Sequence, residues 1–134
     1  MNNNLILFIN IYISNKHCNK KRKMKKKRVL FLGVTGRIGP GLLEEYEKKY
    51  KKYYNIVIGT HKKVKLKYKT VRADLTKLNS LIKAMRGVDV VVNLAANADQ
   101  NAEFKDILEP NIIGAYNVFE AARISKCSRV IFAS

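Results

Sequence analysis

Cysteine is scarce in this chain: Cys18 and Cys127 are the only two among 134 residues. They cannot build the disulfide framework of a small secreted domain, so a reducing, cytoplasmic setting is expected. The two histidines add no metal-ligand spacing, since His17 and Cys18 are adjacent and His61 and Cys127 stand alone. No metal site is therefore expected. Proline is limited to two residues and glycine to seven, and no Pro-rich or Gly/Ser-rich linker divides the chain. The length suits one domain. No repeat of the solenoid kind occurs, and no Gly-x-x-x-x-Gly-Lys-Ser/Thr phosphate loop. The apolar run at residues 5–13, nine residues broken only by Asn10, is far short of the ~20 needed to span a bilayer. Basic residues follow that run instead of preceding it, and no small-residue cleavage site is visible. The run therefore makes a poor secretory signal.

Acidic residues are also few. Lys and Arg number 27 against 10 Asp and Glu, a formal net charge of +17. The excess is uneven. Residues 1–30 hold nine basic residues and no acid, whereas residues 31–134 hold 18 basic and 10 acidic, a net of +8. A block of like charge reads first as a solvated tail, and nucleic-acid binding is the sharper alternative. Met24 opens MKKKRVLFLG, the ordinary beginning of an α/β protein. Residues 1–25 are accordingly expected to be an extension, disordered or loosely helical, with no part in the fold. The rival reading is a membrane-surface anchor, a short apolar segment followed by a basic patch. Residues 26–134 are expected to form the domain. Apolar residues make up 47% and charged residues 28% of the chain, enough for a packed core and unlike a disordered composition.

From residue 28 the pattern is regular. Short apolar runs at residues 28–33, 55–60, 68–73, 88–94 and 129–133 predict strands. Helical spacing predicts helices over 41–52, 75–86 and 103–126, with Gly87 ending the second and Pro110 kinking the third or opening a new first turn. Strands apolar on both faces and alternating with helices imply a parallel sheet covered on both sides. The expected fold class is α/β, a Rossmann-like doubly wound sheet of about five strands in the order 3-2-1-4-5.

The turn after the first strand carries the chemistry. Gly33, Gly36 and Gly39 form G-x-x-G-x-x-G between a strand and a helix. One glycine allows the tight turn, a second lets backbone approach a pyrophosphate, and a third lets helix and strand pack closely. The helix start offers free N–H groups and the positive end of a dipole to the phosphates.

RVLFLGVTGRIG, RADLTKLNSLIKAMRGVDVVVNLAA and NIIGAYNVFEAARISKCSRVIFAS together resemble the N-terminal part of an extended short-chain dehydrogenase/reductase, the NAD-dependent epimerase/dehydratase family. GRIG with the NIIGAYNVFEAAR helix is most similar to uronate-dehydrogenase-like members. The resemblance covers roughly residues 26–134. It implies NAD or NADP as cofactor, sugars or nucleotide sugars as substrates of a complete protein, and homodimers among full-length relatives. It places Gly33, Gly36 and Gly39 in the family's turn, with Arg37 and Ile38 beside the pyrophosphate. Asp74 and Leu75 fall at the acidic pair near adenine. Leu94, Ala95 and Ala96 fall at the lining of the nicotinamide ribose, and Asn111 at the asparagine that supports the active site. The bland readings are a helix cap for Asp74, packing for the alanines, and a surface helix position for Asn111.

Two departures from the family stand out. An acid expected roughly 20 positions past the turn, to hold the NAD ribose, is missing. That place reads Gly59-Thr60-His61-Lys62-Lys63, and Lys62 and Lys63 lean the expectation toward the 2′-phosphate of NADP. The plain reading makes them ordinary surface lysines and His61 an exposed loop residue. The family's Tyr-x-x-x-Lys follows the fifth strand, and Ser134 falls at the first serine of its Ser-Ser segment. The one such pair here, Tyr12 and Lys16, precedes the first strand and reads as chance. No catalytic residue is assigned, and the expectation is a cofactor-binding portion, truncated and inactive alone. The alternatives are a stand-alone dinucleotide-binding regulatory module and a basic nucleic-acid-binding protein. No membrane partner is expected.

Overall fold

The computed structural model describes residues 25–133. Nearly all of the expected N-terminal extension, with Tyr12 and Lys16, lies outside the described residues, as does Ser134. Five strands form one parallel sheet in the order β3-β2-β1-β4-β5, the expected 3-2-1-4-5. They are β1 (Lys27–Leu32), β2 (Tyr54–Thr60), β3 (Thr70–Arg72), β4 (Val90–Asn93) and β5 (Arg129–Phe132). In register, Leu30 stands beside Val57 on one side and Val91 on the other, and Val91 beside Val130.

Alternation along β1 explains why both faces are covered. Leu30 and Leu32 point into a core closed by α2 (Leu78–Ala84) and α4 (Gly114–Ile124), where they meet Leu81, Met85, Val118, Ala121 and Ala122. Val29 and Phe31 point the other way, with Ile56, Ile58, Val90 and Val92, onto Val34 and Leu42 of the turn and α1 (Gly39–Glu45). Each large side chain buried this way stabilises the fold by about 1.5–3 kcal/mol.

The helices differ in detail from the sequence expectation. α1 begins at Gly39, with Pro40 in its first turn, where a missing N–H leaves no bond unmade. It then widens into a π-helical turn, Tyr46–Tyr50, closed by the Lys51 N–H on the Tyr46 carbonyl at 2.9 Å. The third strand is only three residues long. α2 starts later than expected because residues 74–77 form a separate turn. The long third helix is a short α3 (Phe104–Ile107), a π-helical turn Leu108–Ile113 containing Pro110, and α4. Proline removes an N–H and crowds the carbonyl four residues back, and the wider turn takes up the extra room. Gly87 ends the α2 region in a left-handed conformation at φ 67°, as expected. Among the described residues no helix is long and apolar enough to cross a membrane.

Candidate functional site

The strand order reverses between β1 and β4, since β2 and β3 lie on one side and β4 and β5 on the other. Ligands of open α/β sheets bind at such a point, outside the carboxyl ends of the strands. Three segments leave the carboxyl ends of the strands on that side of the sheet.

The first is the glycine-rich turn. Gly33 leaves β1 with φ +76°, and a Cβ added to it would lie 2.5 Å from the Cα and N of Ala95. A Cβ on Gly39 would lie 1.5 Å from the carbonyl oxygen of Val34. Both glycines are demanded by the protein's own backbone. Gly36 is different. Among the described residues its added Cβ meets only the Gly33 oxygen, at 3.3 Å, so little inside the protein requires glycine there. The Gly36 N–H donates to Gly33 O at 3.1 Å and the Gly39 N–H to Gly36 O at 3.3 Å. The amides of Arg37 and Ile38 have no hydrogen-bond partner among the described residues, and Ile38 caps α1 without a side-chain bond. Residues 35–38 are exposed.

The second segment follows β4. Asn93 is 1% exposed, and its Oδ1 accepts the Ala95 N–H at 3.1 Å. Its Nδ2 is buried without a partner among the described residues. Leu94 donates its N–H to Leu32 O at 2.9 Å, which seats Leu94, Ala95 and Ala96 against the glycine turn. Asn111, half-buried on the π-helical turn, accepts the Asn97 N–H at 2.7 Å and donates to the Asn97 carbonyl at 3.0 Å. Asn111 is thus tied into the structure by its side chain. It clamps the far end of the 94–97 segment.

The third segment follows β3. The Asp74 Oδ1 accepts the Thr76 N–H at 3.1 Å and the Thr76 hydroxyl at 2.8 Å. This Asx turn displaces the start of α2 to Leu78, so Asp74 caps a turn and not the helix. The Thr76 hydroxyl holds the Asp74 carboxyl below the usual carboxylate range, helped by the Thr76 amide, Lys77 and His61. The Asn117 Nδ2 donates to the Leu75 carbonyl at 2.8 Å, fixing Leu75 from α4. Lys62 and Lys63 are exposed just past β2, where the Thr60 hydroxyl accepts the Lys62 N–H at 3.2 Å and donates to its carbonyl at 2.9 Å.

Asn93, Asn97 and Asn117 escaped the sequence reading. Asn93 had one available signal, a polar residue closing the apolar run VVV. Among the described residues no group of three metal-ligating side chains converges.

Known proteins match this arrangement. The profile of the NAD dependent epimerase/dehydratase family matches residues 29–134. Uronate dehydrogenase from Pseudomonas putida is 30% identical over 115 residues, covering 80% of this chain and 40% of that protein. L-arabinose 1-dehydrogenase (NAD(P)(+)) from Haloferax volcanii is 42% identical over 65 residues, covering 48% of this chain and 26% of that protein. Uronate dehydrogenase from Agrobacterium tumefaciens, a mutant complexed with NAD, superimposes with TM-score 0.69 at 28% identity, covering 82% of this chain and 41% of that one. The chain thus spans between 26% and 41% of the length of these relatives. The family profile covers residues 29–134, most of the chain, and the chain therefore belongs to the NAD dependent epimerase/dehydratase family.

Proposed function

We propose that residues 26–134 are the cofactor-binding portion of an NAD(P)-dependent dehydrogenase, epimerase or dehydratase acting on sugars, with uronates and nucleotide sugars the first substrates to test. The observation that carries this reading is Gly36. It stands at the switch point with a single neighbour for an added Cβ, the Gly33 carbonyl oxygen at 3.3 Å, beside two amides with no partner among the described residues. Such a cradle suits a pyrophosphate. In this reading the N–H groups of Arg37 and Ile38 receive the phosphates. Asp74 and Leu75 flank the adenine, and Leu94, Ala95 and Ala96 line the nicotinamide ribose. Asn111 is a positioning residue that acts through Asn97. A bound nicotinamide supplies the hydride acceptor or donor.

Lys62 and Lys63 form no ion pair among the described residues, and no acid stands at the end of β2. Both features favour NADP over NAD. No Tyr-x-x-x-Lys occurs from β1 onward, so residues 1–134 bind cofactor but do not turn over a sugar by themselves. Calorimetry with NAD and NADP tests the reading. NADP should bind more tightly, and Lys62→Ala with Lys63→Ala should weaken NADP more than NAD, the difference shrinking at high salt. Absence of binding by either nucleotide to the folded chain overturns the reading. Tighter binding of NAD removes the role given to the lysines.

A further inference from the structure

The outer strands of the sheet, β3 and β5, differ in what they present. β3 is three residues long, and its Thr70 and Arg72 are exposed. β5 is apolar: Val130 packs against the first core and Ile131 against the second, both only half-buried. Phe132 is 38% exposed and Phe119 of α4 48% exposed, and their rings lie together with centroids 5.7 Å apart. Among the described residues β5 pairs with β4 alone. The Ala133 N–H donates inward to the Asn93 carbonyl at 3.0 Å. Backbone groups alternate along a strand, so the Val130 and Phe132 amides face the outer edge. β5 thus presents apolar side chains and outward amides together, a template for one further strand.

We propose that residues 5–13 of this chain occupy that edge as a sixth strand, antiparallel to β5. Composition favours this occupant. LILFINIYI has no charge and no proline, and six of its nine residues are Ile, Phe or Tyr, which suit strands. When extended, Leu5, Leu7, Ile9, Ile11 and Ile13 fall on one face and Ile6, Phe8, Asn10 and Tyr12 on the other. Both faces are then as apolar as those of β5. Reach favours it too. Thirteen residues, 14–26, separate Ile13 from the start of β1 at Lys27. They can span up to about 43 Å, whereas the place beyond β5 is three strand spacings from β1, about 14 Å. The parallel strands begin at one end of the sheet, so the shortest path brings Ile13 to that end and makes the added strand antiparallel. Tyr12 then stands at the amino ends of the strands, opposite the crevice. The β3 edge is equally near, but an apolar strand gains little beside exposed Thr70 and Arg72. A second copy on β5 would have to bring together two chains of formal charge +17, which repel each other, whereas the segment is tethered and uncharged.

Hydrogen exchange of the full chain, followed amide by amide by NMR, tests this. The control is Arg72: the Ala73 N–H donates inward to the Thr60 carbonyl at 2.9 Å, so the Arg72 amide faces outward on the β3 edge. Val130 and Phe132 should exchange at least about a hundredfold more slowly than Arg72, and alternate amides of residues 6–12 should be protected with them. Phe8→Pro with Ile9→Pro removes a ladder donor in either register. Leu7→Asp with Ile9→Asp charges the aliphatic face. Each pair should cut the protection of Val130 and Phe132 at least about tenfold, while Leu30 and Val91 at the sheet centre keep theirs within about threefold. Ile9→Val should behave as the wild type. Free exchange of residues 6–12 in the wild type overturns the proposal, as does exchange of Val130 and Phe132 as fast as that of Arg72. It is overturned equally if protection of β5 survives both double variants and rises with protein concentration, which makes a second copy the occupant. Binding of phosphatidylserine vesicles through residues 5–13, with the β5 amides unprotected, overturns it in favour of a membrane anchor.

Discussion

The three glycines of the turn make different demands, and replacing them one at a time separates fold from binding. At Gly33, alanine meets a left-handed backbone at φ +76° and the Ala95 backbone at 2.5 Å. The conformation costs about 1–2 kcal/mol and the overlap about 1–3 kcal/mol more. The sum, about 2–5 kcal/mol, is a large part of a domain's total stability and should lower Tm by about 8–20 °C. At Gly39 the methyl would lie 1.5 Å from the Val34 carbonyl oxygen and 2.3 Å from its carbon. No side chain can yield there, so α1 must leave the sheet, and the loss should exceed about 4 kcal/mol. At Gly36 the only contact is the Gly33 oxygen at 3.3 Å. A shift of a few tenths of an ångström relieves it, and the stiffer unfolded chain returns about 0.4–1 kcal/mol. Gly36→Ala should therefore melt within about 3 °C of the wild type. Gly36→Val should keep the fold and lose dinucleotide binding, because its branches fill the cradle. Thermal unfolding followed by circular dichroism, then calorimetry with NAD and NADP on every variant that folds, reads both effects. If Gly36→Ala melts as low as Gly33→Ala, or Gly36→Val binds nucleotide like the wild type, the distinction drawn between these glycines is wrong.

Three further outcomes follow from the same geometry. Asn111→Leu keeps the bulk but removes the hydrogen bonds of 2.7 and 3.0 Å to the Asn97 backbone; it should cost about 1–3 kcal/mol in denaturant unfolding and weaken NADP, with Asn111→Asp in between because it retains the acceptor. The Asp74 carboxyl, held below its ordinary 3.8 chiefly by the Thr76 hydroxyl, contributes stability that is present above that value and is lost as pH falls through the lower, folded one. Tm should thus fall more steeply below about pH 4 in the wild type than in Thr76→Val, and identical acid limbs would remove this coupling. Finally, the chain with NAD or NADP and a panel of uronates and nucleotide sugars should give no nicotinamide reduction; turnover abolished by Tyr12→Phe would give Tyr12 and Lys16 the catalytic role denied to them above.

Legibility from the sequence followed the range of the forces involved. The parallel sheet could be read because the apolar runs VLFL and VVV suit burial on both faces between helices, and its order followed from the Rossmann-like reading of the glycine turn. Gly87 could be read as a stop because a left-handed residue after a helix is a local demand. The helix starts could not, because local hydrogen bonds compete with helical ones. The Asp74 side chain takes the Thr76 amide and delays α2, as Asx turns do. Pro110 was visible, but its outcome, a π-helical turn in place of a kink or a fresh start, depends on Gly114. Its missing Cβ lets the turn close against Leu75, where an added Cβ would lie 3.1 Å from the Leu75 Cβ.

Asn93 and Asn97 are the instructive omission, while Asn111 was already singled out. Asn93 holds the Ala95 amide two residues on, whereas Asn97 and Asn111 meet only once the chain beyond β4 has turned back. No spacing rule registers a partner 14 residues away. Their effect is nonetheless directional. Asn93 holds one end of the 94–97 segment through the Ala95 N–H, and Asn111 holds the other through the Asn97 N–H and carbonyl. The segment beside Gly33 is thereby fixed at both ends. In the proposed reading this segment lines the nicotinamide ribose, so Asn93 and Asn111, which hold it in place, are the positions where substitution should be felt most.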